Sequence, residues 1–211
     1  MQSISKRIFL SAAVVAAAVS LSGCGVNAIP TKEERAKAKW ADVQSAYQRR
    51  ADLIPNLVAT VKGYAQQEKS VLVEVTQARA RATSVNVDAS TATDPAKFQQ
   101  FQNAQGALSG SLGRLLLVQE RYPDLKSNQN FLALQSQLEG TENRINVARE
   151  DYNEAARDYN TTLRTFPSVL WAKSFYASSK PMQLFTATAA AQSAPTVSFD
   201  QPGATPPAPA K

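Results

Sequence analysis

Four positions carry the side chains best placed to do chemistry in this 211-residue chain: Cys24, Arg50, Asp52 and Glu68. Glu68 falls on an apolar stripe with Val58, Val61, Ala65, Leu72 and Val75, so its carboxyl is expected to leave water when the stripe packs. A carboxyl in that position can act as a general acid or bind a cation. The plainer alternative is a hydrogen-bonded residue that fixes helix register, the role expected of Gln105, Gln119, Thr141 and Thr162 on their own stripes. Arg50 and Asp52 flank a proposed turn before Pro55, where they can meet a partner or simply serve as a helix-end cation and an N-cap. Trp40, Tyr152 and Tyr159 sit at seam spacing and read as core.

The rest of the inventory is restrictive. The chain has no His and one Cys, which excludes a Ser-His-Asp triad, a His-ligated metal, an internal disulfide and a Cys-X-X-Cys pair. It contains no Gly-rich phosphate loop, nucleophile elbow or paired-carboxylate motif. No cofactor or metal is therefore expected, nor any enzymatic activity. A nominal net charge of +6 is mild and dispersed, unlike the basic footprint of a nucleic-acid binder.

Cys24 is defined by what precedes it. Lys6 and Arg7 lead into an apolar run from Ile8 to Val19, too short to span a bilayer, and Leu21-Ser22-Gly23-Cys24 follows directly. This arrangement resembles the lipobox of bacterial lipoproteins. The resemblance implies that residues 1–23 are a signal peptide cleaved before Cys24, that acyl chains such as palmitate attach at Cys24, and that residues 24–30 form a short linker. Several buried acyl chains give stable membrane attachment. With Gly25 rather than Asp in the next position, the expected address is the periplasmic face of the outer membrane in a Gram-negative cell. The expected partners are the membrane and envelope proteins, with no nucleic acid.

The elements that must position these residues are long helices. Phe131, Leu134, Leu138, Thr141, Ile145, Ala148, Tyr152, Ala155, Tyr159, Thr162 and Phe166 alternate in steps of three and four, and Phe98, Phe101, Gln105, Leu108, Leu112 and Leu115 repeat the pattern upstream. A capping box at Thr31 to Glu34, an Asp94-Pro95 start, a Tyr122-Pro123-Asp124 turn with Ser127 or Asp124 as cap, and Pro167 supply boundaries. With Pro55 in the first turn of a new helix, the sequence predicts helices at 31–51, 54–82, 94–121 and 127–166 within a domain spanning 31–185. The fold class is all-α, an up-and-down antiparallel four-helix bundle. The alternative is three helices with the first kinked at Pro55. Residues 168–176 are apolar and aromatic, suited to cap the bundle end or to lie in a membrane interface. From 186 to 211 the chain is rich in Pro and Ala, carries five of the 11 prolines, and reads as a flexible tail, with Val197 and Phe199 as a docked piece.

Several blocks then match a known family. Arg49-Arg50-Ala-Asp52-Leu-Ile-Pro55-Asn56-Leu-Val, Val61-Lys-Gly63-Tyr64, Leu138-Glu-Gly140-Thr-Glu142-Asn143-Arg144-Ile, Ala148-Arg149-Glu-Asp151-Tyr152-Asn153, Tyr159-Asn160 and Arg164-Thr-Phe166-Pro167 resemble the LemA family over residues 35–199. The resemblance implies an extracytoplasmic, membrane-attached helical bundle with no established enzymatic activity and no agreed catalytic residues. Many members carry a longer N-terminal apolar anchor; here the lipobox stands in its place.

Overall fold

The computed structural model describes residues 25–85 and 87–186. The leader expected at 1–23, Cys24, and the tail beyond Thr186, including Val197 and Phe199, lie outside the described residues. The described residues form six α-helices and no strand: α1 (Ala28–Tyr64), α2 (Lys69–Ser84), α3 (Pro95–Val118), α4 (Pro123–Lys126), α5 (Gln129–Thr162) and α6 (Ser168–Ser174), with a 3₁₀ turn at Gln119–Arg121 between α3 and α4. The four long helices alternate in direction. Lys32–Asp158 and Lys39–Asp151 pairs, each at 2.8 Å, set α1 antiparallel to α5, and the Arg114–Glu74 and Arg121–Glu68 pairs together set α3 and the turn after it antiparallel to α2.

The helix boundaries differ from expectation at one point that matters. There is no break at 52–53: α1 runs through Pro55 to Tyr64, and the link to the next helix is residues 65–68. Proline inside a helix normally costs about 3 kcal/mol, partly because the carbonyl four residues back loses its donor. Here that carbonyl belongs to Ala51, and Arg79 Nε of α2 donates to it at 2.8 Å. A side chain from the neighbouring helix thus replaces the missing amide and ties α1 to α2. The expected helices at 31–51 and 54–82 are corrected accordingly, and so is the kinked three-helix alternative, because α2 is a separate helix after the link. α1 also starts ahead of the anticipated capping box, so Thr31 Oγ1 donates to the Asn27 carbonyl at 2.7 Å inside the first turn.

Elsewhere the local signals operate as read or nearly so. Asp94 caps α3, accepting from the amides of Ala96 and Lys97 at 2.9 and 3.2 Å, with Pro95 in the first turn. Asn128, rather than Ser127 or Asp124, caps α5 by accepting from Phe131 N at 3.0 Å. α3 and α5 stop at Val118 and Thr162, short of the expected 121 and 166.

Unequal lengths shape the bundle. The 37 residues of α1 span about 55 Å and the 16 of α2 only about 24 Å, so α2 covers the half of α1 nearer Tyr64. In that half, Ile54, Leu57, Val61, Leu72, Val75, Leu108, Leu112, Leu115 and Leu138 form an aliphatic core. Along the other half, the loop residues 87–94 and an extended segment at 180–186 take the place of α2. Trp40 is the centre there, with ring centroids 5.8, 5.6, 5.1 and 6.0 Å from Phe98, Phe101, Tyr152 and Phe185. Its indole Nε1 donates to the Asp88 carbonyl at 3.1 Å. The Asp88 carboxylate in turn accepts from the Ser90 hydroxyl and amide, which holds the turn and keeps this carboxyl below the usual range.

Candidate functional site

Arg50 lies where the two cores meet. Tyr47, Ala51 and Ile54 surround it on the buried stripe of α1, and its side chain is only 1% exposed. Such a guanidinium must be paired to be tolerated. Nη1 donates to Glu142 Oε1 on α5 and to Ser109 Oγ on α3, both at 2.8 Å, while Nη2 donates to Gln105 Oε1 at 2.6 Å. The Tyr47 ring lies 5.0 Å from the guanidinium carbon, and burial raises the Tyr47 hydroxyl above its ordinary pKa. Nε alone is buried with no hydrogen-bond partner among the described residues. One side chain therefore fastens three helices at one height. Glu142 is 40% exposed, so the ion pair reaches from the core to the surface.

Beside this cluster an open cleft of about 340 Å³ is lined by amides and cations, including Gln102, Asn103, Asn146 and Arg149. Arg50 and Glu142 form part of its floor, already engaged with each other. Chemically, the arrangement fixes helix register and presents a polar, hydrogen-bonding surface.

A second constellation sits on α5 and holds the extended segment. Asn160 gives and takes one hydrogen bond with the backbone of Met182, both at 2.8 Å, and Asn153 does the same with Phe185, both at 2.9 Å. Seven residues of helix advance about 10.5 Å and three residues of extended chain about 10 Å, so the two asparagines match the spacing of the two residues they hold. The Tyr152 hydroxyl donates to the Gln183 carbonyl between them at 2.8 Å, and Gln183 N donates to the Ala92 carbonyl at 2.7 Å. Burial pushes the Tyr152 hydroxyl well above its ordinary pKa.

The other sequence candidates are dispersed. Glu68 is not on a packed helical seam but at the residue preceding α2, where Oε2 pairs with Arg121 at 2.9 Å and Oε1 accepts from the Tyr122 hydroxyl at 3.1 Å. That bond adds to burial in raising the Tyr122 pKa. Asp52 is exposed inside α1 and accepts from Gln48 at 2.7 Å, so it caps nothing. Arg50 and Asp52 point to opposite sides, because two helical residues turn about 200°. Cys24 lies outside the described residues, but Gly25 is buried at the bundle end, and a Cβ there would sit 3.4 Å from Pro167 and 3.5 Å from the Trp171 indole. Among the described residues, no three His, Cys, Asp or Glu side chains gather as metal ligands.

Of the polar residues expected to set register, Gln105 bonds across helices, whereas Thr141 and Thr162 return their hydroxyls to carbonyls four residues back in α5. Sequence reasoning missed Ser109, Glu142, Asn153 and Asn160. The two asparagines had a readable signal in their seven-residue spacing on one helix. Ser109 had none beyond lying near an apolar stripe, and Glu142 only its place in the block Leu138 to Ile145, because their partner is more than 50 residues away in sequence.

Comparison with known proteins follows the same outline. Two relatives are the magnetosome protein MamQ 2 of Paramagnetospirillum magneticum, 27% identical over 157 residues, and MamQ of Magnetospirillum gryphiswaldense, 26% identical over 157 residues; each alignment covers 67% of this chain and 58% of the relative. A third, Protein LemA of Metamycoplasma hominis, is 27% identical over 125 residues, 59% of this chain and 52% of the relative. The matched region thus spans little more than half the length of these curated relatives. The profile of the LemA family matches residues 39–199, a stretch that takes in α2, α3, α5, the Arg50 cluster and the asparagine-held segment, and the chain belongs to the LemA family.

Proposed function

We propose that this chain is a lipid-anchored, non-enzymatic interaction or scaffold protein of the cell envelope, held through acyl chains on Cys24 at the periplasmic face of the outer membrane. The observation that carries the reading is the inward commitment of its buried polar groups. Arg50 binds Gln105, Ser109 and Glu142, Glu68 binds Arg121 and Tyr122, and Asn153 and Asn160 bind backbone. A general acid or nucleophile needs a free face toward its substrate, and these groups are turned toward one another. What remains outward is a pair of long helices with interleaved charges, suited to side-on partners among envelope proteins.

The anchor is supported by where the chain enters the fold. Gly25 packs against Pro167 and Trp171, so the described chain begins at one end of the bundle rather than along its flank. No helix among the described residues is long and apolar enough to cross a membrane. The test is the mass of the N-terminal peptide of the protein purified from its host's membranes, beside fractionation of the Cys24→Ser variant in high salt. The expected result is a chain beginning at an acylated Cys24, with the variant unprocessed. An unmodified Cys24, or a variant processed and sedimented like the parent, would overturn it.

A further inference from the structure

The two most exposed large apolar side chains among the described residues lie at one end, with a third exposed apolar residue between them in sequence. Phe166 is 80% exposed, Phe175 74% and Leu170 57%, all within ten residues on and around α6. The other large exposed apolar residues, such as Leu117, Val147 and Val73, are spread over α3, α5 and α2. Scattered exposure is ordinary, whereas aromatic residues gathered at one corner mark a contact surface.

Two further observations identify the occupant. The first is position: Pro167, Ser168 and Trp171 pack on Gly25, so the corner lies beside the entry of the chain from Cys24 and the apolar run Ile8 to Val19. A lipid attached at Cys24, one residue before Gly25, would bring the bilayer to this corner. The second is charge. From Tyr159 to Thr186 there is no Asp or Glu, while Arg164, Lys173 and Lys180 are all exposed. Aromatic and aliphatic side chains flanked by cations, with no acid among them, complement an anionic lipid surface.

We infer that the corner formed by Phe166, Leu170 and Phe175 inserts into the lipid interface beside Cys24, so that α6 is a second membrane contact that orients the bundle. The inference builds on the anchored reading above. Lipid on Cys24 alone is a tether about which the bundle can swing; two adjacent contacts fix which end faces the bilayer and direct the Tyr64 end of α1, about 55 Å away along the helix, toward the periplasm.

The experiment uses the full chain reconstituted in vesicles of phosphatidylethanolamine and phosphatidylglycerol. Cys24 is the only cysteine and is blocked when acylated, so Leu170→Cys provides a single site for a polarity-sensitive nitrobenzoxadiazole probe. Leu117→Cys and Val147→Cys, exposed apolar positions elsewhere, provide the references. The expected result is blue-shifted emission at 170 that lipid-borne doxyl groups quench, with aqueous emission and no quenching at 117 and 147. Phe166→Ser with Phe175→Ser, both surface changes, should weaken the quenching at 170. Aqueous emission at 170 would overturn the inference. So would a blue shift without lipid quenching, because a second copy or the chain beyond Thr186 would then cover the corner. The mass of the labelled protein separately reports the lipid on Cys24: its absence defeats the anchor, while lack of quenching in an acylated chain defeats only the orientation.

Discussion

The two halves of the bundle solve the same packing problem by different means. Toward Tyr64 four helices enclose Ile54, Leu57, Val61, Leu72, Val75, Leu108, Leu112 and Leu115, and repeated side-chain stripes suffice. Toward Ala28, α2 is missing, and its place is filled by a loop and an extended segment whose backbone groups have no helix to satisfy them. The solution there is aromatic bulk around Trp40 and side chains that bond directly to backbone: Trp40 to Asp88, Tyr152 to Gln183, Asn153 to Phe185 and Asn160 to Met182. Irregular chain can thus line a core when fixed side chains replace the ladder of a regular element. The half built this way is also the half next to the chain's entry point.

The largest effect that would sharpen this contrast is Trp40→Ala. It should cost about 4 kcal/mol in urea unfolding, and it should also expose the Met182 and Phe185 amides to hydrogen exchange. Leu112→Ala, in the other half, should cost about 3 kcal/mol while leaving those amides protected. Equal loss of protection in both variants would mean that the halves open as one unit and that the contrast has no dynamic meaning.

Next is the boundary between the halves. Arg50→Ala should lower stability by about 3 kcal/mol, because Gln105 and Ser109 lose their donor in a buried setting. Pairing Arg50→Met with Gln105→Leu should restore most of it, since apolar replacement of a buried polar cluster is often neutral. If the double change is as damaging as Arg50→Ala, the cluster has a role beyond packing.

A smaller effect tests the tie between α1 and α2. Arg79→Ala should cost about 2 kcal/mol, the value of a hydrogen bond from a charged donor, and close to nothing in a Pro55→Ala background, where residue 55 supplies its own amide to Ala51. Additive effects in the double-mutant cycle would separate the proline from the arginine.

The smallest concerns pH. Burial raises the Tyr152 hydroxyl above its ordinary value, so the fold favours the neutral phenol. Its contribution is complete below about pH 10, the unfolded tyrosine value, and is lost as pH rises toward the higher folded value. Alkaline loosening of the 180–186 segment, monitored by exchange or proteolysis, should therefore begin above about pH 10 and weaken in Tyr152→Phe. In the aliphatic half the raised hydroxyl is that of Tyr122, so any alkaline response there should weaken in Tyr122→Phe and not in Tyr152→Phe.

Much of this was legible in the residues, and the gaps have a common cause. The stripes from Phe98 to Leu115 and from Phe131 to Thr162 placed two helices, Asp94 placed a cap, and Trp40, Tyr152 and Tyr159 were readable as core because apolar period and cap chemistry are local. Pro55 was misread because the donor that rescues its helix, Arg79, lies 28 residues from Ala51 and belongs to another element. Glu68 seemed to lie on a packed seam because the stripe was extended across what is a turn. Arg50 was picked out, but as a helix-end cation or a residue that meets a partner. Its burial depends on Glu142, 92 residues away, and no local rule anticipates that partner.

By itself, the sequence determined that the chain makes long amphipathic helices, that it lacks His and keeps one Cys, and that an apolar run from Ile8 to Val19 precedes that Cys. Those properties follow from side-chain type and from spacing of a few residues. Only the tertiary structure decided that α1 passes unbroken through a proline, that a guanidinium is buried where three helices meet, that two asparagines hold an extended segment in place of a helix, and that an aromatic corner stands beside Gly25. Each depends on a donor, acceptor or surface supplied by a distant part of the chain, and such pairings exist only once the helices have packed.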